Sequence, residues 1–156
     1  MKTLKTKRIN VVIAWNNIRL VPPKDIPTIV EMERTSEIFT VLEEAIPDFV
    51  ELITEGETLR KELSKTGDLP EAEIKKANED WQAKNKKWQQ QTNALEVKTG
   101  DEIIEVAFEN EQFNTFFQQC ERWGKNWFSN IKEYLAFRAD LNKTNAQPKE
   151  EKKGKK

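Results

Sequence analysis

Apolar and polar positions alternate most cleanly near the N-terminus. Ile9, Val11, Ile13 and Trp15 fall on one side of an extended chain, and Asn16-Asn17 follows, a pair that tolerates the positive φ of a two-residue hairpin turn. In that register Ile18 and Leu20 continue the same face. The pattern therefore predicts a β-hairpin over 8–21, ended by Pro22-Pro23, whose nitrogens cannot donate to a ladder. The period then lengthens. Ile26, Ile29, Val30, Ile38, Val41, Leu42, Ala45 and Ile46 recur at helical spacing and predict a helix over 25–46, capped by Asp25 and with Pro27 in its first turn. Pro47 then opens a second helix over 47–65, whose inward face is Phe49, Val50, Leu52, Ile53, Leu59 and Leu63.

Residues 66–70 read as a loop, and a third helix is predicted over 70–95, a stretch rich in Glu, Lys, Gln and Ala. Its apolar stripe is narrow, with Ile74, Trp81, Trp88 and Leu95 each seven residues apart and polar side chains such as Asn78, Asn85 and Thr92 between them. Such a helix leans on a partner along a line without burying a full face. Residues 95–109 predict a second hairpin turning at Gly100-Asp101, since Ile104, Val106 and Phe108 alternate with Glu105, Ala107 and Glu109. A helical face through Ile103, Ile104, Ala107 and Phe108 competes with it. The strongest helical signal covers 110–142, where Phe113, Phe116, Phe117, Cys120, Trp123, Trp127, Phe128, Ile131, Tyr134, Leu135, Phe137 and Leu141 form a wide aromatic band. Gly124 marks either a kink or the close approach of another backbone. The expected fold is thus a mostly helical α+β domain over 1–142, with four helices, an N-terminal hairpin and a possible second one. A disordered lysine-rich tail is expected over 143–156.

Composition narrows the chemistry. The chain has 156 residues, no His and one Cys, and 34% of its residues are charged. Without His, a Ser–His–Asp or Cys–His site and an imidazole metal ligand are excluded. Cys120 alone can form neither an intrachain disulfide nor a multi-Cys zinc site, and its place in the aromatic stripe suggests a buried, inert thiol. Gly56, Gly67, Gly100, Gly124 and Gly154 are isolated, so no phosphate-binding loop is expected. Carboxylates are plentiful, notably Glu102, Glu105 and Glu109, and Glu43, Glu44, Asp48 and Glu51. They lie on faces expected to meet solvent, and Pro47-Asp48 with Glu73-Ile74-Lys75 falls on helices, where a metal nuclease would need strands. No metal, cofactor or catalytic residue is assigned. The longest apolar run near the N-terminus, residues 11–15, is too short for a secretory leader or a membrane span, so a cytoplasmic protein is expected, without a membrane partner.

A formal net charge of −1 conceals a division along the chain: +6 over residues 1–24, −8 over 25–68 and +4 over 143–156. Basic ends on an acidic body either meet an anion or pair with the body. Two functional readings follow. In the first, Trp81, Trp88, Trp123 and Trp127 leave apolar surface for a protein partner or a second copy of the chain, and the protein is a non-enzymatic interaction or assembly factor. Accessory factors of multi-protein assemblies, those of phages and mobile elements among them, share this general build. In the second, the basic termini and the segment 81–91 bind nucleic acid, with Lys84, Lys86 and Lys87 on phosphates and the two tryptophans stacked on bases.

Overall fold

A computed structural model describes residues 1–20 and 28–148. Among these, the chain is mostly helical with one small antiparallel sheet. The order is β1 (Lys2–Lys7), α1 (Arg8–Leu20), α2 (Ile29–Ala45), α3 (Pro47–Thr66), α4 (Glu71–Thr99), β2 (Ile103–Phe108), α5 (Asn110–Trp123), a 3-10 turn (Gly124–Asn126) and α6 (Ile131–Asn145). Six α-helices thus replace the four expected. The chain divides into two compact units, one formed by residues 1–46 with 101 onward, the other by residues 47–100.

In the first unit β1 pairs antiparallel with β2, in a register running from Lys2 opposite Phe108 to Lys7 opposite Ile103. The predicted hairpin over 8–21 is overturned: those residues form α1. Their apolar spacing also fits a helix, and Val11, Val12, Ala14 and Trp15 are the ones buried. Asn16-Asn17 makes no turn, and no described residue has positive φ. Instead Asn17 Nδ2 donates to Ile13 O one helical turn back, and Arg19 stacks over the Trp15 ring. Tertiary capture completes the choice, with Trp15 Nε1 donating to Glu43 Oε2 of α2 at 2.9 Å. The second hairpin is half corrected. Its C-terminal arm is β2, but residues 95–99 belong to α4, and the strand that pairs with β2 lies a hundred residues away in the chain at β1.

The core of this unit is an aromatic stack. Phe108 of β2 meets Phe113 of α5 edge-on and stacks on Phe116, at ring-centroid distances of 5.7 and 5.1 Å. Leu4, Ile38, Leu42, Val106, Phe137 and Leu141 close around it. Each such side chain removed from water contributes roughly 1.5–3 kcal/mol before the entropy of ordering it is counted. Helix α5 starts at a reciprocal cap, where Glu109 accepts from the Gln112 N–H and the Gln112 side chain accepts from Glu109 N. The single long helix expected over 110–142 is broken, because α5 ends in the 3-10 turn and α6 is capped anew by Asn130, whose Oδ1 accepts from Glu133 N at 2.9 Å. Gly124 allows close packing at the break: a Cβ there would meet the Tyr134 ring at 3.0 Å. Across the same break Arg138 holds Glu121 through two nitrogens.

Two predicted boundaries shift. Helix α2 begins at Ile29 and is capped by Thr28, whose hydroxyl accepts from Glu31 N, while the expected cap Asp25 and the stop at Pro22-Pro23 lie outside the described residues. Helix α6 runs to Asn145 with Thr144 buried, so Lys143, Thr144 and Asn145 are structured, not tail; residues 149–156 lie outside the described residues.

The second unit is an antiparallel helical hairpin of α3 and α4. The seven-residue stripe of α4 meets α3 through its indoles: Trp81 Nε1 donates to Leu59 O and Trp88 Nε1 to Leu52 O, each at 2.5 Å. Both partners are also seven residues apart, so the seam keeps one register along its length. Trp88 lies against Gly56, where a Cβ would come within 2.4 Å of the ring.

Candidate functional site

The structure separates the four tryptophans singled out by their spacing. Trp81 and Trp88 are half-buried in the α3–α4 seam with their N–H groups taken by backbone carbonyls. Trp123 and Trp127 come together in the first unit. They line a groove of about 330 Å³ with Asn17 and Ile18 of α1, Gln119 of α5, and Glu31, Met32, Thr35, Ser36 and Phe39 of α2. Helical spacing places these α2 side chains, since 32, 35, 36 and 39 share one face. The break after α5 places Trp127, which would otherwise continue the α5 cylinder. The Arg122 guanidinium, 4.8 Å from the Trp123 ring centroid, covers part of that indole.

Two buried polar atoms at this groove have no partner within the protein. Gln119 is 6% exposed and Trp127 9%, and both Gln119 Oε1 and Trp127 Nε1 lack a hydrogen bond. The orientation of the Gln119 amide follows from its neighbours. Thr35 Oγ1 donates its proton to Glu31 O at 2.8 Å, so it can only accept from Gln119, and Gln119 Nε2 donates to it at 3.0 Å. The amide oxygen is therefore left over, an acceptor shut away from water. An unsatisfied buried group of this kind costs about 1–3 kcal/mol. A ligand supplying one donor and one acceptor recovers that cost. Spacing alone did not find Gln119, Met32 or Phe39; the available signal was a glutamine standing among aromatics on the apolar face of α5.

The other candidates have local explanations. Lys84, Lys86 and Lys87 are exposed on α4, and Lys84 Nζ lies 3.6 Å from Glu62 Oε1. Glu105 pairs with Lys5, Glu109 caps α5 and Glu43 accepts from Trp15. Among the described residues no three metal-ligating side chains gather in one place, and no helix is long and apolar enough to cross a membrane.

Cys120 is buried beside the groove residue Gln119, and burial pushes its thiol pKa well up, with Glu121 adding to the shift. A disulfide-exchange reagent should therefore fail to label it at pH 8 in the folded chain and label it promptly in urea; prompt native labelling would contradict the burial. The sign of the pH effect is fixed as well. The folded state holds the thiol proton more tightly, so this contribution to stability is intact below the unfolded pKa of about 8.5 and declines as pH rises from there toward the folded value. Denaturation midpoints at pH 7.5 and 10, compared between the natural chain and Cys120→Ala, isolate it.

No known protein family matches the chain, and no curated protein or solved structure matches it.

Proposed function

We propose that this chain is a non-enzymatic binding protein that docks a protein partner in the groove between α1, α2 and α5. The observation that carries this reading is an apolar groove lined by Gln119 and Trp127, two residues whose Gln119 Oε1 and Trp127 Nε1 are desolvated and unpartnered. Natural proteins rarely leave such atoms unsatisfied, and a ligand that completes them accounts for both. The volume is at the lower end of ordinary binding pockets, about 300–1,000 Å³, and Phe39, Trp123 and Trp127 supply the aromatic contact that dominates recognition surfaces. The reading retains Trp123 and Trp127 as partner-binding residues and gives Trp81 and Trp88 a packing role.

Nucleic-acid binding through Lys84, Lys86 and Lys87 has weaker support, because base stacking would need Trp81 and Trp88 to release the carbonyls they hold on α3. It would appear as retention on single-stranded DNA or RNA that falls steeply with salt.

The docking reading is tested by selecting displayed random peptides on the purified protein. Apolar sequences should be enriched. Met32 is 55% exposed at the groove, so Met32→Glu leaves the fold intact and should weaken the selected peptides by about tenfold or more, the equivalent of roughly 1.4 kcal/mol. No enrichment, or enrichment indifferent to Met32→Glu, overturns the reading.

A further inference from the structure

The two unpartnered atoms specify more than an apolar occupant. Gln119 Oε1 can only accept and Trp127 Nε1 can only donate. Their complement carries one N–H and one carbonyl between apolar groups, which is what each residue of an extended main chain presents. We infer that the groove reads the backbone of an apolar linear segment of its partner, whose N–H meets Gln119 Oε1 and whose C=O meets Trp127 Nε1. This deepens the docking reading and rests on it.

Three observations favour a peptide segment over other occupants. Among the described residues Glu31 is the one charged side chain in the lining and it is acidic, which disfavours a phosphate-bearing ligand there. On the same side of α2 the first turn extends the apolar surface past the groove with Ile29, 75% exposed and one turn before Met32, giving an extended chain a track that a small molecule would not fill. The two buried, unpartnered atoms of the lining residues are also main-chain-like in their demand, one acceptor and one donor, while the apolar walls take side chains. Neither polar atom meets water in the free protein. Binding therefore needs a small parting of the groove, which the new hydrogen bonds offset. Specificity then arises from apolar side chains at the walls, and orientation from the amide pair.

The test uses the tightest selected peptide and a scan in which one backbone amide at a time is replaced by an ester, removing a donor without altering a side chain. Affinities are read by fluorescence anisotropy. On the natural chain one ester position should weaken binding by about three- to tenfold, the range of one hydrogen bond. On Gln119→Met, nearly the same size, the penalty at that position should disappear, and Trp127→Phe, which keeps the ring and loses the N–H, should weaken the parent peptide by a similar factor. Circular dichroism establishes that both variants are folded, and the ester scan on the natural chain needs no variant. If the peptide binds and Met32→Glu removes it, yet no ester costs more than about twofold, main-chain reading is wrong and groove docking stands. If binding is indifferent to Met32→Glu, both are wrong. Self-association that Met32→Glu abolishes, with no peptide bound, makes a second copy the occupant and overturns the linear-segment inference.

Discussion

A chain ending at Asn142 should be less stable than one ending at Gln147 or beyond by about 3 kcal/mol, although it loses only residues whose composition reads as tail. Lys2 stands on the inner face of β1 and is only 7% exposed. Its ammonium donates to Asn145 O at 2.6 Å and to Gln147 O at 3.0 Å. These carbonyls sit at the C-terminal end of α6, where the helix dipole adds partial negative charge. Hydrogen bonds to a charged group contribute about 1.5–3 kcal/mol, and a buried charge stripped of its partners costs more than the bonds were worth. The Gln147 side chain works beside them. It accepts from Thr3 N at 3.0 Å and donates to Thr3 O at 2.9 Å, pairing with the open edge of β1 as a neighbouring strand would. Thr144, buried under the same turn, is lost too. Urea unfolding followed by circular dichroism measures the difference. A loss below about 1 kcal/mol would mean that the clasp is a surface ornament.

That clasp also explains why β1 was hidden. In Lys2–Lys7 the inward side chains are Lys2, Leu4 and Thr6, so only one of three looks like core to a hydrophobicity pattern. Lys2 is satisfied from the far end of the chain, and Thr6 Oγ1 donates to Asp140 Oδ2 at 2.7 Å. The information that makes this segment a strand is held in β2, about a hundred positions away, and in the partners of its polar inward side chains, more than 130 positions away. The opposite error arose at α1, where alternation and helical spacing are both legible and the helix wins through contacts with α2. Where the decisive contacts are local, the reading was sound: α3 begins at Pro47, and β2 buries Val106 and Phe108 as its alternation requires. The break at Gly124 was visible as an option, and Asn130 three residues before Glu133 is the capping signature that would have decided it.

The candidate site was half legible for a related reason. Large aromatic residues announce that a surface is valuable, not which side of it is already used. Trp81 and Trp88 belong to a seam and Trp123 and Trp127 to a groove, and the difference lies in whether an indole N–H finds a carbonyl. Trp88 finds one, and Trp127 does not. That distinction depends on Gly56, which lets the Trp88 ring reach the backbone of α3 at all.

Gly56→Ala therefore should destabilise the α3–α4 hairpin, against the helix-propensity rule that favours Ala over mid-helix Gly by about 1 kcal/mol. The added Cβ would stand 2.4 and 2.8 Å from two ring atoms of Trp88, and a rigid indole cannot yield as a flexible side chain can. The ring is further pinned by its hydrogen bond to Leu52 O, the carbonyl that also receives the Gly56 N–H in the helix ladder. Relief requires α4 to move away, with loss of that bond and of packing along the stripe. Overpacking of this sort costs about 1–3 kcal/mol, which outweighs the propensity gain. The cause can be isolated with Trp88→Leu, whose smaller side chain leaves room over Gly56. In that background Gly56→Ala should change sign and become stabilising by roughly the propensity difference. Amide hydrogen exchange in α3, read in the four chains of this cycle, reports the hairpin directly. An alanine that stabilises the natural chain as well would show that Trp88 does not rest on Gly56, and the seam would have to be drawn differently.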